Sequence, residues 1–489
     1  MNSKIITGLA LVIGLLIAIV MAVQVGQSDF KTVYITTIFI FSVPICLLLG
    51  MRSWYILPFA MTAGLPAIPL TATKSLSLAE FGIPLFCGLL LLAVIQGRQR
   101  FQMKIGDWWP LLLCGSWVMM IALLNGVGLD ILGSEKMGGR AYLTIGIYIP
   151  AMLALSQISI RDKEARRVCW LLLVTKTLSG IYMMINFFLS QEEQGFYGWQ
   201  QGFSGMAMGG VMLLFARNTP IKVIKSPLYS CLYLVLLVMV LYSGKRMGLV
   251  ICCVIPMIAA FWHRQAMVSL FASVAAFLLI ITAVTVQNEV TSLPKTVQRA
   301  LSFLPGDWDW EVKQTSEKAI FRNTLNRWAM LEVEENPIIG RGLTLSREDL
   351  RLMEDKAYVY QIMFPEDDPQ AFSFIASKMW HSTWLGLAAT FGIPMTIFWL
   401  CVQISVLKRS WKLGHTGSVS SWQGTLLAMI FFMMCSGVIT SFTSGNAASL
   451  FKGAALQLGI LAAIKNGKRD DSLEQMIKLE VANDRLTGK

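Results

Sequence analysis

An all-α polytopic membrane protein is what this sequence predicts, on three observations. Only 14% of its 489 residues are charged and 55% are apolar, whereas a soluble domain carries roughly a quarter of its residues as Asp, Glu, Lys and Arg. Apolar stretches of about 18 residues or more recur along the chain, each long enough to cross a hydrocarbon core of ~30 Å. Lysine and arginine gather in alternate loops, as they do on the cytoplasmic side of a membrane. These features exclude a secreted or cytosolic enzyme. They also assign the net charge of +12 and the pI near 9.3 to membrane-flanking loops, so no nucleic-acid partner is expected.

Candidate spans run over 5–23, 33–50, 54–70, 77–96, 108–124, 141–157, 168–189, 204–216, 227–243, 247–262, 267–286, 383–404, 423–443 and 447–464. The first has Lys4 ahead of its apolar run and no small-residue cleavage site, so it reads as a retained helix and not a signal peptide. Pro58, Pro66 and Pro69 interrupt 54–70, and 204–216 is short and glycine-rich. Either is expected to be a broken or re-entrant segment packed against protein.

A cytoplasmic N-terminus places Arg98, Arg100, Lys104, Arg161, Lys163, Arg166, Arg167, Arg217, Lys222, Lys225, Lys408, Arg409 and Lys412 inside. The same alternation puts the longest polar stretch, 287–381, outside. The expected organisation is a transmembrane bundle over 1–286, an external loop subdomain over 287–381, closing helices over 382–464 and a cytoplasmic tail over 465–489. Within the loop, Phe321, Leu325 and Trp328 repeat at helical spacing until Asn336-Pro337 ends the pattern. Residues 346–363 repeat it, with Ser346 as N-cap and Leu350, Met353 and Ala357 on one face. Trp308, Trp310 and Trp380 are expected at headgroup depth, where indoles are favoured.

The nine cysteines all fall in apolar segments and form no C-x-x-C pair, which reads as small buried hydrophobes and not a disulfide framework. His263, His381 and His415 are too scattered for a zinc site. His263 and His415 fall in basic cytoplasmic loops and read as surface residues, while His381 opens a span at the outer face, where an imidazole can take a proton near neutral pH. Asp307-x-Asp309 and Asp367-Asp368 lie among prolines and aromatics without basic phosphate partners, so no metal is expected. Walker A, G-x-S-x-G and H-E-x-x-H signatures are absent.

Positive charge on the outer side runs against the usual distribution. Lys136 and Arg140 lie in the loop 125–140, Lys245 and Arg246 in the short turn Ser243-Gly244-Lys245-Arg246-Met247-Gly248, and Arg322 and Arg327 on the first loop helix. External arginines at helix ends call for an anionic partner, and the guanidinium fork matches phosphate oxygens. A lipid-linked phosphate or diphosphate suits that depth.

That turn, the run Asn326-Arg327-Trp328 leading to Glu335-Asn336-Pro337-Ile338-Ile339-Gly340-Arg341-Gly342, and His381-Ser382-Thr383-Trp384-Leu385 leading to Phe391-Gly392-Ile393-Pro394 resemble the O-antigen ligase and O-antigen polymerase family. The matching block covers about 240–400. The resemblance implies a GT-C-like membrane glycosyltransferase of about 12–14 helices with a large, mostly helical periplasmic loop, in the bacterial inner membrane. It implies transfer of a glycan from an undecaprenyl-diphosphate donor to a glycan or lipid-core acceptor hydroxyl at the periplasmic face, with no nucleotide cofactor or required metal. Carried over by position, Arg246 and Arg327 would grip the diphosphate, and His381 would orient or deprotonate the acceptor; Arg140 is expected as a further diphosphate contact, although no motif in its loop aligns it. Ligase and polymerase share this donor chemistry. The alternative from another class is a lipid-linked oligosaccharide flippase, against which stand the absence of internal repeats and the large loop bearing His381.

Overall fold

The computed structural model describes residues 48–63, 68–69, 75–99, 101, 106, 108–125, 138–190, 201–265, scattered positions between 267 and 287, 293–302, 307–316, 319–343, 369–376, 380–416, 421–442 and 449–468. The expected spans 5–23 and most of 33–50, the loop helix 346–363, Lys136, Asp367-Asp368 and the tail beyond 468 lie outside them.

The described residues are almost wholly helical. After a 3-10 turn at Gly50–Tyr55, the helices are α1 Ile56–Thr62, α2 Leu78–Ile95, α3 Trp109–Leu124, α4 Gly138–Ser156, α5 Asp162–Ser190, α6 Gln201–Arg217, α7 Pro220–Lys225, α8 Pro227–Tyr242 and α9 Arg246–Trp262. The loop region supplies α10 Lys295–Leu301, α11 Trp310–Ser316, α12 Ala319–Glu335 and α13 Pro369–Ala376. The chain then forms α14 Thr383–Phe391, α15 Ile393–His415, α16 Trp422–Thr440 and α17 over 449–468. Leu78–Ile95, Asp162–Ile185 and Trp422–Thr440 are long and apolar enough to cross a membrane, and four further apolar helices are slightly shorter.

The proline-interrupted stretch 54–70 is not one span. It breaks into the 3-10 turn, α1 and a two-residue antiparallel ladder pairing Ile68 with Leu76 and Pro69 with Ser75. Pro58 falls in the first turn of α1, where its missing N–H costs no intrahelical bond, and the helix has ended in extended backbone at Ala63, before Pro66 and Pro69 are reached in the sequence. The glycine-rich stretch, by contrast, is an uninterrupted helix, α6. Its glycines serve packing: a Cβ on Gly180 of α5 would overlap the carbonyl of Gly202, and one on Gly202 the carbonyl of Gly180. Close approach of backbones is how helices associate where lipid removes the hydrophobic drive.

Sequence-local signals set the helix starts. Ser77 and Glu80 form a reciprocal capping box on α2, with Glu80 N–H donating 3.2 Å to Ser77 Oγ and Ser77 N–H donating 2.7 Å to Glu80 Oε2. Proline opens α3, α7, α8 and α15, where its missing N–H costs no bond.

Polar contacts between elements sort by end. At the lysine-rich end Gln99 Nε2 donates to the Gln157 carbonyl at 3.2 Å, Asn466 Nδ2 to Ser156 at 2.8 Å and Lys468 Nζ to Leu413 at 2.9 Å. There too Asp162 Oδ1 accepts from Trp422 N–H at 2.7 Å, capping α16. At the other end Glu80 meets Arg140, Tyr142 meets Leu343, and Thr383 N–H donates 2.8 Å to Ser441. Each pair joins residues that the alternation of spans assigns to one side.

The aromatic and histidine side chains lie deeper than their sequence positions suggest. Trp308 and Trp380 are buried within the protein, and only Trp310 is exposed, at 70%. Trp380 lies along α14, its Nε1 donating 3.3 Å to Thr390 Oγ1. His263 and His415 are half-buried at the lysine-rich end. His263 Nε2 faces the Phe215 carbonyl at 3.0 Å, and His415 stacks on Trp411 with its Nε2 3.1 Å from the Trp262 carbonyl. Both tie α9 to its neighbours, which the loop charge alone does not reveal.

Candidate active site at the loop end of the bundle

The turn between α8 and α9 is tight. Gly244 takes φ +66°, a left-handed value that costs a residue with a Cβ, and buried Ser243 Oγ accepts from Lys245 N–H at 3.3 Å. Lys245 is the N-cap of α9 and Arg246 its first residue. Burial pushes the Lys245 ammonium below its ordinary range. Arg246 reaches into the loop region, its Nε donating 3.1 Å to the Arg299 carbonyl and its Nη2 2.7 Å to Ser302 Oγ. Two cations at the positive end of a helix dipole make this turn a strongly electropositive point.

The segment that Arg246 touches is itself braced. Fully buried Gln298 of α10 donates to the Leu293 carbonyl at 2.8 Å and to Asp309 Oδ2 at 3.0 Å, while its Oε1 accepts from Asp309 N–H at 2.9 Å. Asp309 is thus held by an amide, and Asp307 pairs with Lys313 at 3.1 Å.

Arg327 and His381 belong to a second group. Phe321, Leu325 and Ala329 form the buried stripe of α12, close to the expected one, with Trp328 half-buried beside it. They pack with Ala371, Phe372 and Ile375 of α13, Trp380 and Ala389 into a small core of their own. Arg327 stands on the exposed side of α12. The His381 ring meets Phe321 edge-on, centroids 5.4 Å apart, two residues before α14 begins. Burying these side chains is worth about 1.5–3 kcal/mol each where the loop faces water, and that packing sets His381 against the helix that carries Arg327.

The Pro337–Leu343 segment explains why α14 stops. Gly392, at φ +82°, separates α14 from α15. A break inside a span leaves backbone groups without partners, which must be satisfied by protein. Here Arg341 N–H donates 2.9 Å to the Ala389 carbonyl, Gly342 N–H 2.7 Å to Thr390 and Ile393 N–H 2.8 Å to Pro337, while Trp117 Nε1 of α3 donates 2.8 Å to Phe391. Gly340 and Gly342 adopt φ +66° and +74°, and a Cβ on Gly340 would press on the backbone of Thr390–Gly392. The glycines are there because two backbones zip together.

The same segment binds the bundle and α12. Leu343 N–H donates 2.8 Å to Tyr142 Oη of α4, and Arg341 Nη1 pairs with buried Glu332 of α12. Glu332, Tyr142 and Glu80 are site-shaping residues that sequence reading missed. Only Glu80 carried a signal, as the last residue of Ser77-x-x-Glu80.

Arg140 is placed differently from the other candidates. It is buried at the start of α4, with Nε 2.9 Å from Glu80 Oε1 and Nη2 2.8 Å from Oε2, and Thr144 Oγ1 also donates to Glu80 Oε1 at 2.9 Å. Its two-donor fork therefore sits on a carboxylate.

A search of curated proteins finds no match to the chain. A family description does match, over residues 231–400, and it is O-antigen ligase. That interval, about a third of the chain, holds the Arg246 turn, Arg327, the glycine zipper and His381, and it ends inside α15; over residues 231–400 the chain is similar to the O-antigen ligase family.

Proposed function

We propose that this protein transfers a glycan from an undecaprenyl-diphosphate donor to an acceptor hydroxyl at the periplasmic face of the inner membrane, as an O-antigen ligase or polysaccharide polymerase of lipopolysaccharide or related surface-glycan synthesis. The observation that carries the reading is the placement of Lys245 and Arg246 at the positive end of α9, on the loop side of the bundle and inside the matched interval. A diphosphate there would meet a helix N-terminus and a guanidinium already fixed by Arg299 and Ser302.

In this reading the acceptor oxygen attacks the anomeric carbon, the bond from that carbon to the diphosphate oxygen breaks, and undecaprenyl diphosphate departs. Arg246 and Arg327 stabilise the charge that develops on the leaving group, as fixed donors do most strongly in a partly dry site. His381 accepts the acceptor proton. Arg140 has the smaller part, since two of its donors already hold Glu80. No metal is required, because the guanidinium groups supply the positive charge.

His381→Ala, purified and given excess lipid-linked donor, tests this. Donor affinity is expected near wild type with transfer lowered by roughly 10²–10⁴, the usual worth of general-base catalysis. Transfer at the wild-type rate would remove His381 from the mechanism. Accumulation of long chains on the lipid carrier in a deletion strain indicates a ligase, and single repeat units on the acceptor a polymerase. Retention of the unprocessed donor on the cytoplasmic face would instead favour a flippase.

A further inference from the structure

At the opposite, lysine-rich end, α5 presents one face that neither the candidate site nor the bundle core uses. Lys163, Arg166, Arg167, Trp170, Leu171 and Val174 line a cavity of about 590 Å³. Their spacing of i, i+3, i+4, i+7, i+8 and i+11 puts them on a single helical stripe. All are exposed except Leu171, which is half-buried.

The stripe is graded along the helix axis. Three cations occupy its first two turns and a tryptophan the next. The exposed apolar residues Val174, Leu178, Ile181 and Ile185 continue it. At about 1.5 Å per residue, Arg167 to Ile185 spans roughly 27 Å, close to the hydrocarbon thickness. The cations therefore stand at headgroup level, Trp170 at interfacial depth and the rest against acyl chains.

Neighbouring groups offset this charge only in part. Asp162 is engaged as the cap of α16, while Glu164, half-buried and three residues before Arg167, acts on that guanidinium electrostatically and Tyr55 hydrogen-bonds it, which leaves Lys163 and Arg166 in excess. On the adjoining side Arg166 and Arg217 both approach the Trp422 ring, at 5.5 and 4.4 Å from its centroid, which adds a fourth cation.

We propose that this groove binds one anionic glycerophospholipid of the cytoplasmic leaflet, with its phosphate among Lys163, Arg166 and Arg167 and an acyl chain along Trp170, Leu171 and Val174. Charge complementarity selects an anionic headgroup, and the apolar continuation below it selects a lipid over a soluble anion. The site is independent of the glycan-transfer reading, because it lies on the other side of the membrane from the Arg246 turn.

Native mass spectrometry of the full chain in detergent, titrated with phosphatidylglycerol or phosphatidylcholine, tests the proposal. The wild type is expected to retain one phosphatidylglycerol in preference to phosphatidylcholine. K163Q/R166Q/R167Q should bind phosphatidylglycerol at least about tenfold more weakly, given that each basic residue near an anionic surface counts separately, with phosphatidylcholine unchanged. R98Q/K222Q/K225Q removes equal charge from exposed positions on the same side and should bind like wild type. Equal retention of both lipids, an unaffected groove variant, or an equal loss in the control variant would overturn the proposal. So would full displacement of the lipid by millimolar inorganic phosphate, which would make the site one for a soluble anion. All six substituted positions are exposed, and gel-filtration elution in detergent identifies any variant that misfolds.

Discussion

The backbone N–H of Arg341 donates 2.9 Å to the carbonyl of Ala389, while the side chain of Arg341 pairs with Glu332. One residue thus joins the helix that begins just after His381 to the helix that carries Arg327. Its own carbonyl lies 3.5 Å from Asn125 Nδ2 at the end of α3. Arg341 is the crossing point at which the loop's small core, the broken span and the transmembrane bundle meet.

Breaking this pair is expected to be costly. Glu332 is buried and the Arg341 side chain is 21% exposed, so Glu332→Ala leaves a largely enclosed guanidinium without its carboxylate. A loss of about 3 kcal/mol follows, at the lower end for a broken buried pair because Arg341 keeps some water. Thermal unfolding of the detergent-solubilised protein, followed by tryptophan fluorescence, measures it. A double-mutant cycle with Arg341→Ala should give a coupling above ~1 kcal/mol, and a coupling near zero would show that the pair holds nothing.

Gly392→Ala is expected to fail more severely. The residue sits at φ +82°, and a Cβ would overlap the carbonyl of Ile338. The clash is with backbone, which cannot step aside without undoing the bond from Ile393 N–H to Pro337. The variant should lose both thermal stability and glycan transfer, whereas Gly437→Ala on α16, with open space around its Cβ, should keep both. Wild-type behaviour of Gly392→Ala would mean that the break in the span is not held by the glycine zipper.

What the sequence made legible was local. The α12 helix, its stop before Asn336-Pro337, the turn at Arg246 and the helix start after His381 are all read from spacing, caps and breakers within a few residues, and each is found in the structure. Contacts between distant segments were not legible. Nothing near Arg140 announces Glu80, 60 residues earlier, because an outer arginine looks the same whether it faces an acid or a phosphate. The expected continuous span 383–404 hides the break at Gly392 for a related reason. Its apolar composition satisfies a hydropathy reading, and only the Pro337–Leu343 backbone makes the interruption tolerable. Trp308 and Trp380 were misplaced because an indole at a span end reads as interfacial unless its packing partners are known.

Arg246→Lys separates charge from geometry. Lysine keeps the positive end of α9 but has one amine where the guanidinium uses Nε and Nη2 on Arg299 and Ser302. The turn should then lose its hold on α10, and affinity for the lipid-linked donor should fall about tenfold or more, as expected when a charge-assisted bond of roughly 1.5–3 kcal/mol is lost. Donor binding in detergent gives the readout. An unchanged affinity would leave Arg246 as a structural tie alone.

His263 gives the protein a pH-dependent term at its other end. The ring is half-buried at the C-cap of α9 with Nε2 toward the Phe215 carbonyl, and burial, with a smaller contribution from nearby His415, lowers its pKa below the ordinary 6.5. Between the lowered folded value and 6.5 the unfolded chain binds the proton more readily than the folded one, so stability rises with pH through that window. The contribution is complete above 6.5 and is lost as pH falls through the folded value. His263→Gln keeps an amide able to donate to Phe215 and removes the titration. Its unfolding temperature should therefore be flatter than the wild type's as pH falls below the ordinary histidine value of 6.5, with the two curves converging in slope above it. Parallel curves across the whole window would assign the acid sensitivity to other groups.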